Sequence, residues 1–168
     1  MRGSLVLVAI AAVLAASACG GGTTGAPGEA PGAFMTRVLR EELNGQWAKQ
    51  WASLHPGHKK LITQAQYVAC SRSLATDIGT GTEKYRVLAV RDEPITVFAV
   101  PQHDSKLVTI SFHTPGNSTT PQYDMHAVAV DGKWTWILGG RFLDAVEHGK
   151  CLDGSPLKKH APATRVRA

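Results

Sequence analysis

The chain has 168 residues, with 18 Lys+Arg against 13 Asp+Glu and a formal net charge of +5. That length suits one domain of moderate size rather than several. The excess charge sits on Arg2 and on Lys158, Lys159, Arg165 and Arg167, so residues 19–154 are balanced. A nucleic-acid binder needs a concentrated basic footprint on its folded part, and that class is set aside.

The first elements are those of export. Arg2 and the apolar run over residues 5–14 have the form of a signal peptide, a short positive region followed by a hydrophobic one. About ten apolar residues are too few to span a bilayer, which takes about twenty. Ala16-Ser17-Ala18 is a small-residue site for an ordinary secretory peptidase. The same residues followed by Cys19 resemble the lipobox of bacterial lipoproteins, with Ala16 where leucine is commonest. Lipidation is the favoured reading, because residues 19–33 are rich in Gly, Pro, Ala and Thr and suit a tether spanning on the order of 20 Å. The resemblance implies cleavage before Cys19 and a diacylglycerol on its sulfur. The chain is then held at the cell membrane on its extracytoplasmic face. Each buried methylene contributes about 0.8 kcal/mol, so two or three acyl chains hold firmly where one does not.

Three cysteines are an odd number for an exported chain. With Cys19 lipidated, Cys70 and Cys151 remain, and an oxidising compartment favours joining them. Two separate buried thiols are the alternative. A bridge would close a loop of about eighty residues and contribute about 4 kcal/mol.

Beyond the tether, Leu39, Leu43, Trp47 and Trp51 step by four, and this spacing predicts one half-buried helix over residues 34–54. His55-Pro56-Gly57 is expected to stop it. A second helix is expected over 61–73, where Thr63 and Gln66 have the spacing of a capping box. A turn-rich link follows over 77–82. Strands are expected over 85–90, 95–100, 107–112, 123–130 and 133–138, where β-branched and aromatic residues cluster between turn residues. Asp131-Gly132 is a type I′ hairpin signal. The gaps are too short for helical crossovers, so the strands are expected to be antiparallel. A helical turn over 141–148 leads to Cys151. Residues 155–168 hold four cations and no acid. A solvated end is preferred there to contact with anionic lipid or wall polymer. The expected organisation is a signal peptide over 1–18, a tether over 19–33, an α+β domain over 34–154 and a basic disordered tail over 155–168. In that domain, N-terminal helices pack on a curved antiparallel sheet of about five strands.

Residues 46–71 (QWAKQWASLHPGHKKLITQAQYVACS) and 131–153 (DGKWTWILGGRFLDAVEHGKCLD) resemble a group of small actinobacterial lipoproteins. Their domain is the nuclear-transport-factor-2-like cone, also called ketosteroid-isomerase-like or cystatin-like. The matching features are a Trp-x-x-x-Trp helix ending in Leu-His-Pro, a cysteine on the next helix, a Trp-rich last strand and a cysteine soon after it. The two blocks cover about a third of the mature chain. The resemblance implies a bridge between Cys70 and Cys151 and implies no activity.

A cone of this type can hold an apolar cavity between helix and sheet, a natural ligand site when a few polar groups point inward. Asp124 and His126 share one face of a strand, and Thr109, Ser111 and His113 share one face of the preceding strand. If the faces coincide, Asp124 orients a histidine base for proton transfer beside a carbonyl. A solvated or structurally bonded set is the preferred reading of these residues, because Met125, Ala127 and Ala129 make a competing apolar face. Tyr67, Tyr85 and Tyr123 match no isomerase arrangement. No metal or cofactor is expected. His55, His58, His103 and Asp104 are read as turn residues, and neither H-E-x-x-H nor C-x-x-C occurs. Trp47, Trp51, Trp134 and Trp136 are read as packing rather than as a carbohydrate platform. Three functions are carried forward. The first is a non-enzymatic module that binds an apolar small molecule or an envelope protein. The second is an isomerase- or dehydratase-like enzyme using His113 or His126 with Asp124, and the third is a structural role in envelope assembly.

Overall fold

A computed structural model describes residues 29–74, 83–113 and 120–157. The expected signal peptide, Cys19 and the expected tether as far as residue 28 lie outside the described residues. So do the link over 77–82 and residues 158–168 of the tail.

Helix α1 spans Pro31–Leu43 and opens on a proline, whose missing N–H is no loss in a first turn. It buries Phe34, Met35 and Val38. The single helix expected over 34–54 is broken after Leu43. Asn44 donates its N–H back to the Arg40 carbonyl, and Gly45 takes φ +65°, a left-handed conformation that ends helices and favours glycine. A short α2 follows over Trp47–Ala52. The break moves the buried stripe: Leu39, Trp47 and Trp51 are half-buried and pack against the core.

His55-Pro56-Gly57 begins a helix as well as ending one. The His55 Nδ1 accepts the Gly57 N–H at 3.0 Å and Pro56 occupies the first turn of α3, Pro56–Lys59. Helix α4 spans Gln64–Leu74. The capping box is made: Thr63 N–H donates to Gln66 Oε1 at 3.0 Å, and Gln66 N–H donates to Thr63 Oγ1 at 3.3 Å. Because Thr63 is the cap, the helix starts later than residue 61.

The five strand segments read from the sequence lie on four continuous strands, β1 Lys84–Val97, β2 Val100–His113, β3 Gln122–Val130 and β4 Lys133–Trp136. They pair antiparallel in the order β1-β2-β3-β4, and the sheet curls into a half-barrel. The end of segment 95–100 forms the turn and the start of β2, while the segment 85–90 and the first half of 95–100, as far as Val97, join into one strand through Pro94. This is tolerated because β1 is an edge, where one row of N–H groups has no ladder partner. The chain reverses at Phe98-Ala99, with Ala99 at φ 59°. That turn has none of the usual turn residues, so β2 begins earlier than expected and takes His103 and Asp104 into the ladder opposite Ile95 and Pro94. The β3–β4 turn follows its signal, with Asp131 at φ 50° and Gly132 at φ 73°.

Val108, Ile110, Ala127, Ala129, Trp134 and Trp136 meet Phe34, Met35 and Val38 in the core. The face carrying Met125, Ala127 and Ala129 is therefore turned to the helices. Helix α5, Gly140–Glu147, adds Leu143 and Val146. Cys70 on α4 is bonded to Cys151 after α5, with Cα atoms 5.2 Å apart. Residues 155–157 fold back on this end: Cys151 N–H donates to the Ser155 carbonyl and Leu157 N–H to the Gly149 carbonyl. The folded unit thus begins before residue 34 and continues past 154.

Candidate functional site

The predicted polar set lies on the sheet face turned away from α1. Asp124 is exposed opposite Thr109, whose hydroxyl donates to its carboxylate at 2.6 Å. His126 is half-buried opposite Leu107, with Nδ1 2.9 Å from Ser105 Oγ. The Ser105 hydroxyl gives its one proton to the Glu93 carbonyl at 2.6 Å, so it accepts from the His126 Nδ1–H. The other ring nitrogen, Nε2, lies 3.7 Å from Glu93 Oε1. Burial holds the imidazole below its usual value, against the opposing pull of Glu93 and Asp124. Ser105 is only 3% exposed and its proton is committed, so it is not placed as a nucleophile. His113 is exposed opposite Lys84 at the end of β2, four positions beyond Thr109 and so about 13 Å along the strand. The fold brings Asp124 and His126 to one face and leaves His113 apart.

A second polar group lies inside, and the sequence reading passed over it. Gln50 of α2 is 1% exposed. Its Oε1 accepts the Tyr67 hydroxyl, and its Nε2 donates to the Val38 carbonyl at 3.4 Å and to Glu42 Oε2 at 3.3 Å. Ser71, one turn after Tyr67, is buried beside the same group. Three helices thus supply one chain of bonds, with Glu42 from α1, Gln50 from α2 and Tyr67 from α4. Burial raises the Tyr67 pKa, and the nearby Glu42 carboxyl adds to the shift. Burial likewise pushes the Glu42 carboxyl up, while its bond from Gln50 opposes the shift. The available signal was Gln50 four residues before the fully buried Leu54, a polar amide on a buried stripe.

This chain of bonds forms one end of a cavity of about 180 Å³. Met125 on β3, Trp136 on β4, Phe142 on α5 and Leu74, Leu138 and Leu152 supply the apolar lining. The Tyr67 ring lies 6.0 Å from the Trp136 ring at 61° and 5.8 Å from the Phe142 ring at 42°. These are tilted and edge-on arrangements that aromatic quadrupoles favour. Each apolar residue is placed by its element: Met125 by the inward alternation of β3, Trp136 by the end of β4, Phe142 by the first turn of α5. The site is an apolar pocket with convergent polar groups and displaced titrations, the usual form of a small-molecule site.

Two further cavities are larger. One of about 320 Å³ lies against the bridge, between Ala65, Ala69 and Leu157. The other, about 460 Å³, lies where the described chain begins, between Glu29, Arg37, Lys59 and Lys133. Among the described residues no group of three or more His, Cys, Asp or Glu is placed to hold a metal ion. No helix among them is long and apolar enough to cross a membrane. Cys19, the expected lipidation site, lies outside the described residues.

The class defined by this geometry is an α+β domain with a curled antiparallel sheet, one disulfide and a small, partly open apolar pocket. In comparisons with protein families, characterised proteins and solved structures, nothing matches the chain.

Proposed function

We propose that this chain is a bacterial lipoprotein, held on the outer face of the cell membrane by lipid on Cys19, whose domain binds a small apolar molecule without transforming it. The reading of the anchor rests on the signal-like run over 5–14, the Ala16-Ser17-Ala18-Cys19 site and the flexible spacer after it. The observation that carries the binding role is the partly open cavity, apolar on most sides and polar at the Glu42–Gln50–Tyr67 end. The His126–Asp124 pair supports an isomerase- or dehydratase-like enzyme less well. Asp124 is held by Thr109 and the His126 Nδ1–H by Ser105, and the cavity is lined by other residues.

Native mass spectrometry of the protein extracted from its own membrane tests both parts. The expected spectrum shows acyl mass on an N-terminal Cys19, two hydrogens missing for the bridge, and a small molecule lost on denaturation. An unacylated amino end overturns the anchor. Protein that consistently carries no small molecule overturns the binding role.

A further inference from the structure

The pocket is small and partly open, which favours a small occupant, and its polar groups bear on the occupant's chemistry. An apolar cavity of about 150 Å³ holds benzene. At about 180 Å³, this one has room for a six-membered ring and one short substituent. The ring has aromatic neighbours in Trp136 and Phe142 and a compliant one in the Met125 thioether.

The polar end offers few free positions. Gln50 is saturated, with its oxygen taken by Tyr67 and its nitrogen by Val38 and Glu42. The Tyr67 proton goes to Gln50. Glu42 uses Oε2 for Gln50, which leaves its second oxygen. Among the described residues no Lys, Arg or His lines the cavity, and an anion finds no countercharge among them. Glu42 stands in the last turn of α1, where unpaired carbonyls disfavour a carboxylate. A ligand cation would require that carboxylate to ionise in a buried place, and a buried ion pair returns less than matched neutral groups.

We propose that the cavity selects a neutral, single-ring molecule bearing one hydroxyl, its ring against Trp136, Phe142 and Met125 and its hydroxyl bonded to the second carboxyl oxygen of Glu42. This deepens the binding role proposed above and rests on it. Glu42 is then the specificity-determining residue, and burial that pushes its carboxyl up, against the bond from Gln50, acts in the same direction.

Four probes of one shape and different charge test it: toluene, benzyl alcohol, benzylamine and benzoate. Each is titrated into the full chain near neutral pH while the Met125 methyl and Trp136 indole signals are followed by NMR. Benzyl alcohol is expected to shift both signals and to bind about five- to tenfold more tightly than toluene, the worth of one hydrogen bond. Benzylamine and benzoate are expected to leave both signals in place. Glu42→Leu should erase the preference for the alcohol, and Glu42→Gln should keep it. Equal binding of toluene and benzyl alcohol overturns the role of Glu42 while leaving the cavity a binding site. Tighter binding of benzylamine overturns neutrality. Binding by none of the four overturns the inference and the binding role together.

Discussion

The imidazole of His58 donates from Nε2 to the Phe98 carbonyl oxygen, 3.0 Å away and forty residues along the chain. Its direction is fixed by the other ring nitrogen, since Nδ1 accepts the Leu138 N–H at 2.9 Å. One neutral ring, 0% exposed, therefore ties α3 to the tip of the β1–β2 hairpin and to the segment after β4. In the sequence this histidine reads as a turn residue. Its neutrality, tautomer and burial make it a pin that holds the half-barrel closed on the helices.

Replacing His58 by Ala leaves a buried N–H and a buried carbonyl without partners and opens a void. The expected loss is about 3–5 kcal/mol, read from urea unfolding. A loss no larger than that of an exposed histidine, such as His148→Ala, would mean that the pin carries no weight.

The same residue gives stability a pH dependence. Burial lowers the His58 pKa from its ordinary 6.5, and the bond to Phe98 opposes the shift. Between the unfolded and folded values the unfolded state binds more protons, so stability falls as pH drops through that window and is unchanged above it. His126 shifts in the same direction and adds to the slope. Urea midpoints at about pH 8 and about pH 5, on the imidazole scale, should fall toward acid in the wild type. They should still fall in His126→Gln. A flat profile in that variant would assign the whole effect to His126.

Gly57 is the point of closest approach of α3 to the hairpin. A Cβ built there would run into the Ala99 carbonyl oxygen, a contact that backbone must move to relieve. Gly57→Ala is expected to cost about 2 kcal/mol or more by displacing the hairpin tip from His58. Gly139→Ala is the control, since nothing lies within 4 Å of its added carbon. Equal urea midpoints for the two variants would show that the hairpin does not need this contact.

The Gln50–Tyr67 bond should behave as one unit. Tyr67→Phe strands the Gln50 oxygen and is expected to cost about 1–2 kcal/mol, and Gln50→Leu strands the phenol and Glu42 and should cost about 2–3 kcal/mol. The double variant should cost at least about 1 kcal/mol less than the sum, because each single change already breaks the shared bond. A double-mutant cycle by urea unfolding measures this directly, and strict additivity would show the two groups to be independent.

Removing the bridge should act mainly on the unfolded chain. Cys70 and Cys151 are 81 positions apart, and freeing a loop of that length costs about 4 kcal/mol in the chain-entropy model. The Cys70→Ser/Cys151→Ser double variant and the reduced wild type should unfold at similarly lowered urea midpoints. A double variant as stable as the oxidised protein would refute the estimate.

The sequence by itself determined what depends on neighbours in the chain. Thr63 and Gln66 cap α4, Asp131-Gly132 turns β3 into β4, and alternating β-branched and aromatic residues make strands, because these preferences act over two to four residues. Helices first and strands afterwards set the α+β class on the same local grounds. The tertiary structure alone decided which polar residues are buried. Gln50 and His58 look solvated in any window of sequence, and they are interior because Tyr67, Leu138 and Phe98 come to them from 17, 80 and 40 positions away. It also decided that Pro94 lies within an edge strand, that Ala99 turns the hairpin and that Gly45 breaks a helix with unbroken apolar spacing. A buried polar group is stable only with its partners in place, and the free energy that places them there comes from long-range contacts that no local pattern encodes.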